Sequence, residues 1–135
     1  MNKNLSVGEV MIKSNNIPIV YKNELLRETI EEINKYGLGI ACIIDFDEKL
    51  IGVLTDGDIR RLILKVQKPI SATFVDDAYF YATKEFANVY EKTSLEDAIL
   101  KMEKLKIWDL PVTDRKGKLK GLLHLHPALK FVLGL

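Results

Sequence analysis

The feature of this sequence that most constrains its fold is an internal repeat. Residues 6–64 align with residues 75–133 without a gap, at a constant offset of 69, and eleven aligned pairs are identical. The identical pairs are Val20 and Val89, Tyr21 and Tyr90, Leu26 and Leu95, Ile30 and Ile99, Lys35 and Lys104, Asp45 and Asp114, Lys49 and Lys118, Leu50 and Leu119, Gly52 and Gly121, Leu54 and Leu123, and Leu64 and Leu133. We therefore expect two similar units related by a pseudo-twofold axis, with a ligand cleft along that axis.

The charge and hydropathy of the chain argue against several classes of partner. Its 135 residues include 20 lysines and arginines and 19 aspartates and glutamates, and a net charge of +1 provides no basic surface for nucleic acid or anionic lipid. The longest apolar runs are too short to span a membrane. Residues 1–4 lack the apolar stretch of a secretory signal, and the lone Cys42 lies in the apolar run 40–44. We therefore expect a buried structural cysteine in a cytoplasmic protein.

Each half of the repeat predicts a strand, a helix, two strands and a second helix, an α/β (α+β) pattern. Hydrophobic periodicity and turn residues indicate these elements in both halves. In the first half they are an extended entry at Ile17–Val20, a helix at Glu24–Tyr36, strands at Ile40–Ile44 and Leu50–Leu54, and a helix from Asp58 to Val66. In the second half they are a helix from a Thr93–Glu96 capping box to Leu105, strands at Leu110–Thr113 and Leu119–Leu123, and a helix opened by Pro127.

The repeat divides the chain into two expected domains, residues 5–67 and 74–135, joined by a linker at 68–73. Each domain begins with a short lead-in helix, at Ser6–Met11 in the first and at the aligned Val75–Phe80 in the second. Because each half alone is small for a stable core, we expect the two to form an interlocked pair.

The strongest local signal is the run Gly52–Arg61, a buried strand that ends in Thr-Asp-Gly-Asp and continues directly into a helix. A helix N-terminus presents unpaired N–H groups that suit a phosphate, and the hydroxyl of Thr55 can donate to the same phosphate. Asp58, one turn into the helix, suits two sugar hydroxyls. The pattern therefore indicates a phosphorylated sugar or a nucleotide. The alternative is structural, with Asp56 capping the helix and Asp58 complementing its dipole.

This repeat resembles a tandem pair of cystathionine-β-synthase-type (CBS) domains. The Gly-x-x-Thr-x-x-Asp pattern of that family is matched by Gly52, Thr55 and Asp58, and the resemblance extends from about Leu5 to Leu133. It implies two pseudo-symmetric units that bind adenosyl or other nucleotide-like ligands in the cleft between them. It also implies that Thr55 contacts phosphate and that Asp58 contacts the ribose hydroxyls.

Three runs resemble, more narrowly, the C-terminal CBS pair of arabinose-5-phosphate isomerases. They are Gly37–Ala41, Leu54–Arg61 and the Gly-Leu-Leu-His-Leu-His ending at His126. Those enzymes interconvert ribulose 5-phosphate and arabinose 5-phosphate for Kdo, lipopolysaccharide or capsule synthesis. Their catalytic site lies in a sugar isomerase (SIS) domain that is not present here, so the resemblance implies a SIS-domain partner. Sugar-phosphate nucleotidyltransferases share the Thr-Asp-Gly-Asp-hydrophobic-Arg-Arg run, but the His-Leu-His ending favours the isomerases.

The resemblance implies a set of ligand contacts and a choice of effectors. The implied contacts are Gly39, Ile40, Ala41, Thr55, Asp56, Asp58, Arg61, His124 and His126. Arg60 and Arg61 are neighbours on a helix and diverge by about 100°, so at most one of them reaches a phosphate. Adenine nucleotides are the general CBS ligands, whereas a CMP-activated sugar would suit the isomerase pathway.

The second half departs from the family pattern, because His124 and Pro127 stand where Thr55 and Asp58 stand in the first half. His124 and His126 lie two apart at a strand end, so they leave on one face. They could be metal ligands, contacts to an anionic ligand, or ordinary strand-end residues; two histidines without a nearby Cys make a poor metal site. Trp108, which aligns with Gly39, could pack on a ligand base or in the core.

The sequence thus predicts a regulatory module rather than an enzyme. No Ser/His/Asp order, glycine-rich nucleotide loop or Cys/His pair indicates catalysis. We expect a small phosphorylated effector to shift the equilibrium between two arrangements and so regulate a catalytic domain, in a homo-oligomer. The alternative is a structural module that pairs subunits and binds no ligand.

Overall fold

The computed structural model describes residues 5–135; residues 1–4, for which we expect no secretory signal, lie outside the described residues. Along the chain the elements are α1 (Val7–Val10), β1 (Ile12–Lys13), a 3-10 turn (Ser14–Asn16), β2 (Ile19–Tyr21), α2 (Leu26–Tyr36), β3 (Ile40–Ile44), β4 (Leu50–Thr55), α3 (Asp56–Lys65), α4 (Ile70–Thr73), α5 (Ala78–Tyr81), α6 (Leu95–Leu105), β5 (Asp109–Thr113), β6 (Leu119–His124) and α7 (Leu125–Leu133). No helix in this part of the chain is long and apolar enough to cross a membrane.

The chain forms two compact units that are offset from the sequence repeats. The central unit is residues 17–86, and the terminal unit combines residues 5–16 with residues 87–135. The lead-in helix α1 therefore packs with the second repeat, against α6 and α7, while α5 packs with the first repeat, against α2, α3 and β4. The segment 68–73, expected to link two domains, lies inside the central unit and includes α4.

The central unit is built on a three-stranded sheet in the order β2-β3-β4, in which β2 is parallel and β4 antiparallel to β3. All five residues of β3 are buried, including Cys42 as expected, because a continuous apolar run suits a strand covered on both sides. α2 ends at Gly37, whose φ of 70° is the left-handed conformation that closes many helices. The buried core residues are Val20, Leu26, Ile33, Ala41, Ile43, Leu54, Leu62 and Ala78.

The terminal unit is built on an antiparallel three-stranded sheet in the order β1-β6-β5, in which the added strand β1 pairs with the second strand of the hairpin rather than the first. The expected strand before α6 is reduced to a single parallel bridge between Val89 and Val112. Its buried core residues are Val7, Val10, Val89, Leu95, Ala98, Met102, Leu110, Val112, Leu123 and Ala128. Two of these, Val7 and Val10, come from α1, so the N-terminal segment contributes directly to the core of this unit.

The two hairpins match residue for residue at the offset of 69. Ile40 pairs with Thr55 in one, and Asp109 pairs with His124 in the other, with a register shift at the equivalent place in each. The turns match as well, because Oδ1 of Asp45 accepts two backbone N–H groups within its turn and Oδ1 of Asp114 does the same. The internal repeat is therefore confirmed over the two hairpins.

The alignment of the two lead-in helices is wrong by two residues. The N–H of Val7 donates to Thr93 O at 2.8 Å, and the N–H of Ala78 donates to Glu24 O at 2.9 Å. Thr93 and Glu24 are 69 residues apart, but Val7 and Ala78 are 71 apart. The first repeat is therefore two residues longer between its lead-in helix and β2, in the part that contains the 3-10 turn.

Four helix starts also differ from the expected ones. α2 begins at Leu26 rather than Glu24. α3 begins at Asp56 rather than Asp58. The Thr93–Glu96 capping box is wrong, because the cap of α6 is Ser94, whose Oγ accepts the N–H of Asp97 at 3.1 Å. α7 begins at Leu125, which leaves Pro127 inside the first turn, where a missing N–H is harmless.

Candidate functional site

The first turn of α3 is organised by a reciprocal capping box between Thr55 and Asp58. The N–H of Asp58 donates to Oγ1 of Thr55 at 3.1 Å, while Oδ2 of Asp58 accepts the N–H of Thr55 at 2.9 Å and its hydroxyl at 3.0 Å. Thr55 is thus the N-cap, and the expectation that Asp56 caps the helix is wrong. The Thr55 hydroxyl, which we expect to donate to a phosphate, donates to Oδ2 of Asp58 in this structure.

The second oxygen of Asp58 joins two further elements of the site. Oδ1 accepts Nη2 of Arg61 at 2.9 Å and the hydroxyl of Thr83 at 2.8 Å. Asp58 is only 8% exposed. Burial raises the pKa of Asp58, but the hydrogen bonds from Thr55, Arg61 and Thr83 together outweigh burial and hold that pKa below its usual value. The carboxylate is therefore charged, buried and bonded at both oxygens.

Arg61 places a positive charge over the start of α3. A Cβ atom on Gly57 would lie 3.2 Å from Nη2 of Arg61, so the guanidinium folds back over the first turn. The Arg61 side chain is about half exposed, and the neighbouring Arg60 is exposed on the same helix. A guanidinium beside a helix N-terminus favours an anion such as a phosphate.

The predicted contacts at the start of β3 approach α3 through Gly39, the residue before the strand. Gly39 has a φ of 75°, and its carbonyl oxygen accepts the N–H of Asp56 at 3.0 Å. Glycine is favoured here by its positive φ, and a Cβ on Gly39 would lie 3.0 Å from Oδ2 of Asp56, so the exposed Asp56 side chain would have to turn aside for a larger residue. Ile40 and Ala41 are buried within β3.

The equivalent place in the terminal unit has different chemistry. His124 is the N-cap of α7 and makes no side-chain capping bond; its Nδ1 lies 2.5 Å from Oδ1 of Asp109. Both side chains are nearly buried. Burial raises the pKa of Asp109, and the contact with His124 only partly offsets this. The imidazole and the carboxylate are thus supplied by two strands, not by one helix turn.

An aromatic pair lies beside this histidine. The rings of Trp108 and His126 are stacked with centroids 5.9 Å apart, and the rings of His124 and His126 are 5.6 Å apart. Trp108 is 60% exposed, so the core-packing alternative for Trp108 is wrong. Within residues 5–135, no group of three or more His, Cys, Asp or Glu side chains is placed to hold a metal ion.

Around the first turn of α3 the structure brings together five of the predicted contacts: Gly39, Thr55, Asp56, Asp58 and Arg61. In the terminal unit it places the ring of His124 beside that of His126. The sequence reasoning missed two residues, Thr83 and Asp109. Asp109 could have been found by extending the predicted hairpin one residue pair beyond Leu110, which sets it opposite His124. Thr83 is 25 residues from Asp58 and carries no local signal.

A separate apolar pocket of about 180 Å³ lies in the central unit between α2, α3 and residues 66–74. Lys68 and Thr73 are its two polar lining residues, and Nζ of Lys68 is paired with Asp76 at 2.8 Å. None of the ligand contacts implied by the sequence lines this pocket.

Comparisons with known proteins agree on one family. The model of the CBS domain family matches residues 7–65 and 75–130. Arabinose 5-phosphate isomerase KdsD of Francisella tularensis subsp. tularensis is 32% identical over 96% of this chain and 38% of its own length. Arabinose 5-phosphate isomerase KpsF of Escherichia coli is 30% identical over 88% of this chain and 35% of its own length. This chain therefore spans less than two fifths of either isomerase.

A solved structure extends the comparison to a bound ligand. CBSX2, crystallised in complex with AMP, has a TM-score of 0.85 and 28% identity, and the match covers 97% of this chain and 98% of that one.

Proposed function

Because the chain belongs to the CBS domain family and contains two copies of the domain, we propose that it is a sensor for a nucleotide or a phosphorylated sugar metabolite. CBS pairs are regulatory ligand-binding modules rather than catalysts. The proposed binding site is the first turn of α3 in the central unit. We propose further that the sensor serves an arabinose-5-phosphate isomerase, whose SIS domain would be its regulated partner.

The observation that carries the proposal is the combination of Arg61 and Asp58 at one helix start. Arg61 is half exposed and lies at the positive end of the helix dipole, which suits a phosphate. Asp58 is a charged carboxylate beside Arg61. A charged carboxylate suits the vicinal hydroxyls of a sugar. The AMP complex of the 28% identical CBSX2 supports a ligand that contains both groups.

The isomerase context rests on the relatives KdsD and KpsF, each of which is more than twice as long as the matched region. In that context the ligand would be an adenine nucleotide or a CMP-activated sugar of the Kdo and lipopolysaccharide pathway. We expect this chain alone to turn over no ribulose 5-phosphate, and a coupled assay with the purified chain tests that expectation.

The binding proposal is tested by titration calorimetry with matched ligands and matched variants. AMP and CMP are compared with adenosine and cytidine, which lack only the phosphate. Arg61→Gln should weaken nucleotide binding roughly tenfold to a hundredfold, because a charged hydrogen bond to phosphate is lost, and should leave nucleoside binding nearly unchanged. Arg60→Gln, one residue away on the exposed face, is the control and should bind like the wild type.

Two results would contradict the proposal. If Arg60→Gln and Arg61→Gln weaken nucleotide binding equally, the effect is general electrostatics and the phosphate does not lie at the start of α3. If the wild-type chain binds no nucleotide, CMP-sugar or pentose phosphate at millimolar concentration, it is not a sensor of this class.

A self-association module is the second candidate function, favoured by exposed apolar side chains on α3. Ile63 is 55% and Leu64 is 81% exposed, although both are large aliphatic residues. Light scattering of the wild type and of Leu64→Glu tests this candidate. A wild-type dimer that Leu64→Glu converts to a monomer would support homo-oligomerisation through this face.

A further inference from the structure

The carboxylate of Asp58 has no hydrogen-bonding position left for a ligand. A carboxylate accepts about four hydrogen bonds, two at each oxygen. Oδ2 accepts the N–H and the hydroxyl of Thr55, and Oδ1 accepts Arg61 and Thr83. A sugar diol can therefore reach this carboxylate only by replacing a donor that is already there.

Thr83 is the donor whose replacement disturbs the rest of the site least. The two bonds from Thr55 belong to the capping box of α3, so breaking them would also weaken the helix start. Arg61 carries five N–H donors and can turn to a phosphate while keeping one bond to Asp58. Thr83 offers a single hydroxyl and comes from a different part of the chain.

The position of Thr83 connects the site with the end of the central unit. Thr83 and Val53 exchange two backbone hydrogen bonds, of 2.8 and 3.0 Å, at the edge of β4. The side-chain bond to Asp58 is the third hydrogen bond that holds Thr83. Three residues farther on, at Phe86, the chain leaves the central unit.

We infer that Thr83 competes with the ligand: the hydroxyls of a ribose displace the Thr83 hydroxyl from Oδ1 of Asp58, while its two backbone bonds to Val53 keep Thr83 in place. This inference rests on the proposed function, since it assigns to the same site the contact that a ligand has to replace. Binding is then an exchange of one hydrogen bond for another.

The test compares Thr83→Val, which removes the hydroxyl at nearly constant volume, with Thr83→Ser, which keeps it. Thr83→Val should bind AMP or CMP about tenfold more tightly than the wild type, because the ligand no longer displaces a hydrogen bond to a charged group. Thr83→Ser should bind like the wild type. Neither variant should change affinity for the 2′,3′-dideoxynucleotide, which has no diol to compete.

A second measurement is independent of any ligand. The pKa of Asp58, followed by carboxyl carbon NMR, should rise in Thr83→Val, because one of the bonds that lower this pKa is lost, and should stay unchanged in Thr83→Ser. An unchanged Asp58 pKa in Thr83→Val would overturn the inference, as would weaker or equal ribonucleotide binding by that variant. Absence of nucleotide binding by the wild type would instead refute the proposed function, and this inference with it.

Discussion

Removing the Asp58 side chain should destabilise the central unit as well as alter binding. Asp58→Ala leaves four donors without their acceptor. Loss of the two bonds from Thr55, which are the Asp58 half of the capping box, costs about 1 kcal/mol. The hydroxyl of Thr83 adds about 1 kcal/mol, with little from the half-exposed Arg61. The free energy of unfolding should therefore fall by about 2 kcal/mol, and the melting temperature by about 7 °C.

Asp58→Asn separates the charge of this residue from its shape. The amide oxygen can still accept both donors of Thr55, so this variant should lose only about 1 kcal/mol. Asp56→Asn is the control, because Asp56 is exposed at the first position of the same helix and contributes mainly through the dipole, about 0.3 kcal/mol. Urea unfolding followed by far-ultraviolet circular dichroism measures all three variants.

The difference in free energy of unfolding between the wild type and Asp58→Asn should depend on pH, and this dependence tests the same reasoning. The folded state lowers the pKa of Asp58, so the unfolded chain binds this proton more tightly than the folded chain. The stability that the charge provides is therefore present above the ordinary aspartate pKa and is lost as the pH falls through the lowered value. The difference in free energy of unfolding between the wild type and Asp58→Asn should disappear in that pH range. A difference that persists there, or an equal loss of stability in Asp58→Ala and Asp58→Asn, would refute the reasoning.

Four other substitutions test features away from the Asp58 carboxylate, each by urea unfolding. Gly37→Ala should lose about 1 kcal/mol from its positive φ alone, and Gly39→Ala should lose more, because its Cβ would also press on Asp56 at 3.0 Å; equal losses would mean that this contact is unimportant. Glu48→Gly should gain about 0.5 kcal/mol, since Glu48 has a φ of 65°, and a loss would contradict this. Burial raises the pKa of Asp109, so the wild type should gain stability relative to Asp109→Asn as the pH falls through that value; a wild type that loses stability relative to Asp109→Asn on acidification would contradict this.

The elements from β2 to α3 and from α6 to α7 could be predicted because each carries a local pattern. The apolar run 40–44 becomes the buried β3, and the turn aspartates Asp45 and Asp114 form matching turns. The lead-in helices could not be aligned, because no identical pair falls within them. Their true correspondence depends on backbone bonds such as that from Val7 to Thr93, which are far apart in sequence.

The candidate site, like the fold, could be predicted from the sequence only in part. Thr55 and Asp58 are three residues apart at a strand-to-helix junction, so their proximity follows from the sequence. Their mutual bonding does not follow, because a free hydroxyl and a capping hydroxyl have the same sequence pattern. Thr83 reaches Asp58 only because its segment bridges to Val53, and no periodicity in the sequence encodes that bridge.

The offset between sequence repeats and compact units has a consequence for synthesis on the ribosome. The central unit, residues 17–86, is continuous in the chain, so all of its core residues have been made when Phe86 is added. The terminal unit is discontinuous: α1 is made before the central unit, and its partners α6 and α7 are made after it. Because domains fold as their residues become available, Val7 and Val10 of α1 have no core to pack in until α6 and α7 have been translated. Cutting the chain between the sequence repeats, after residue 67, would therefore leave neither product with a complete core.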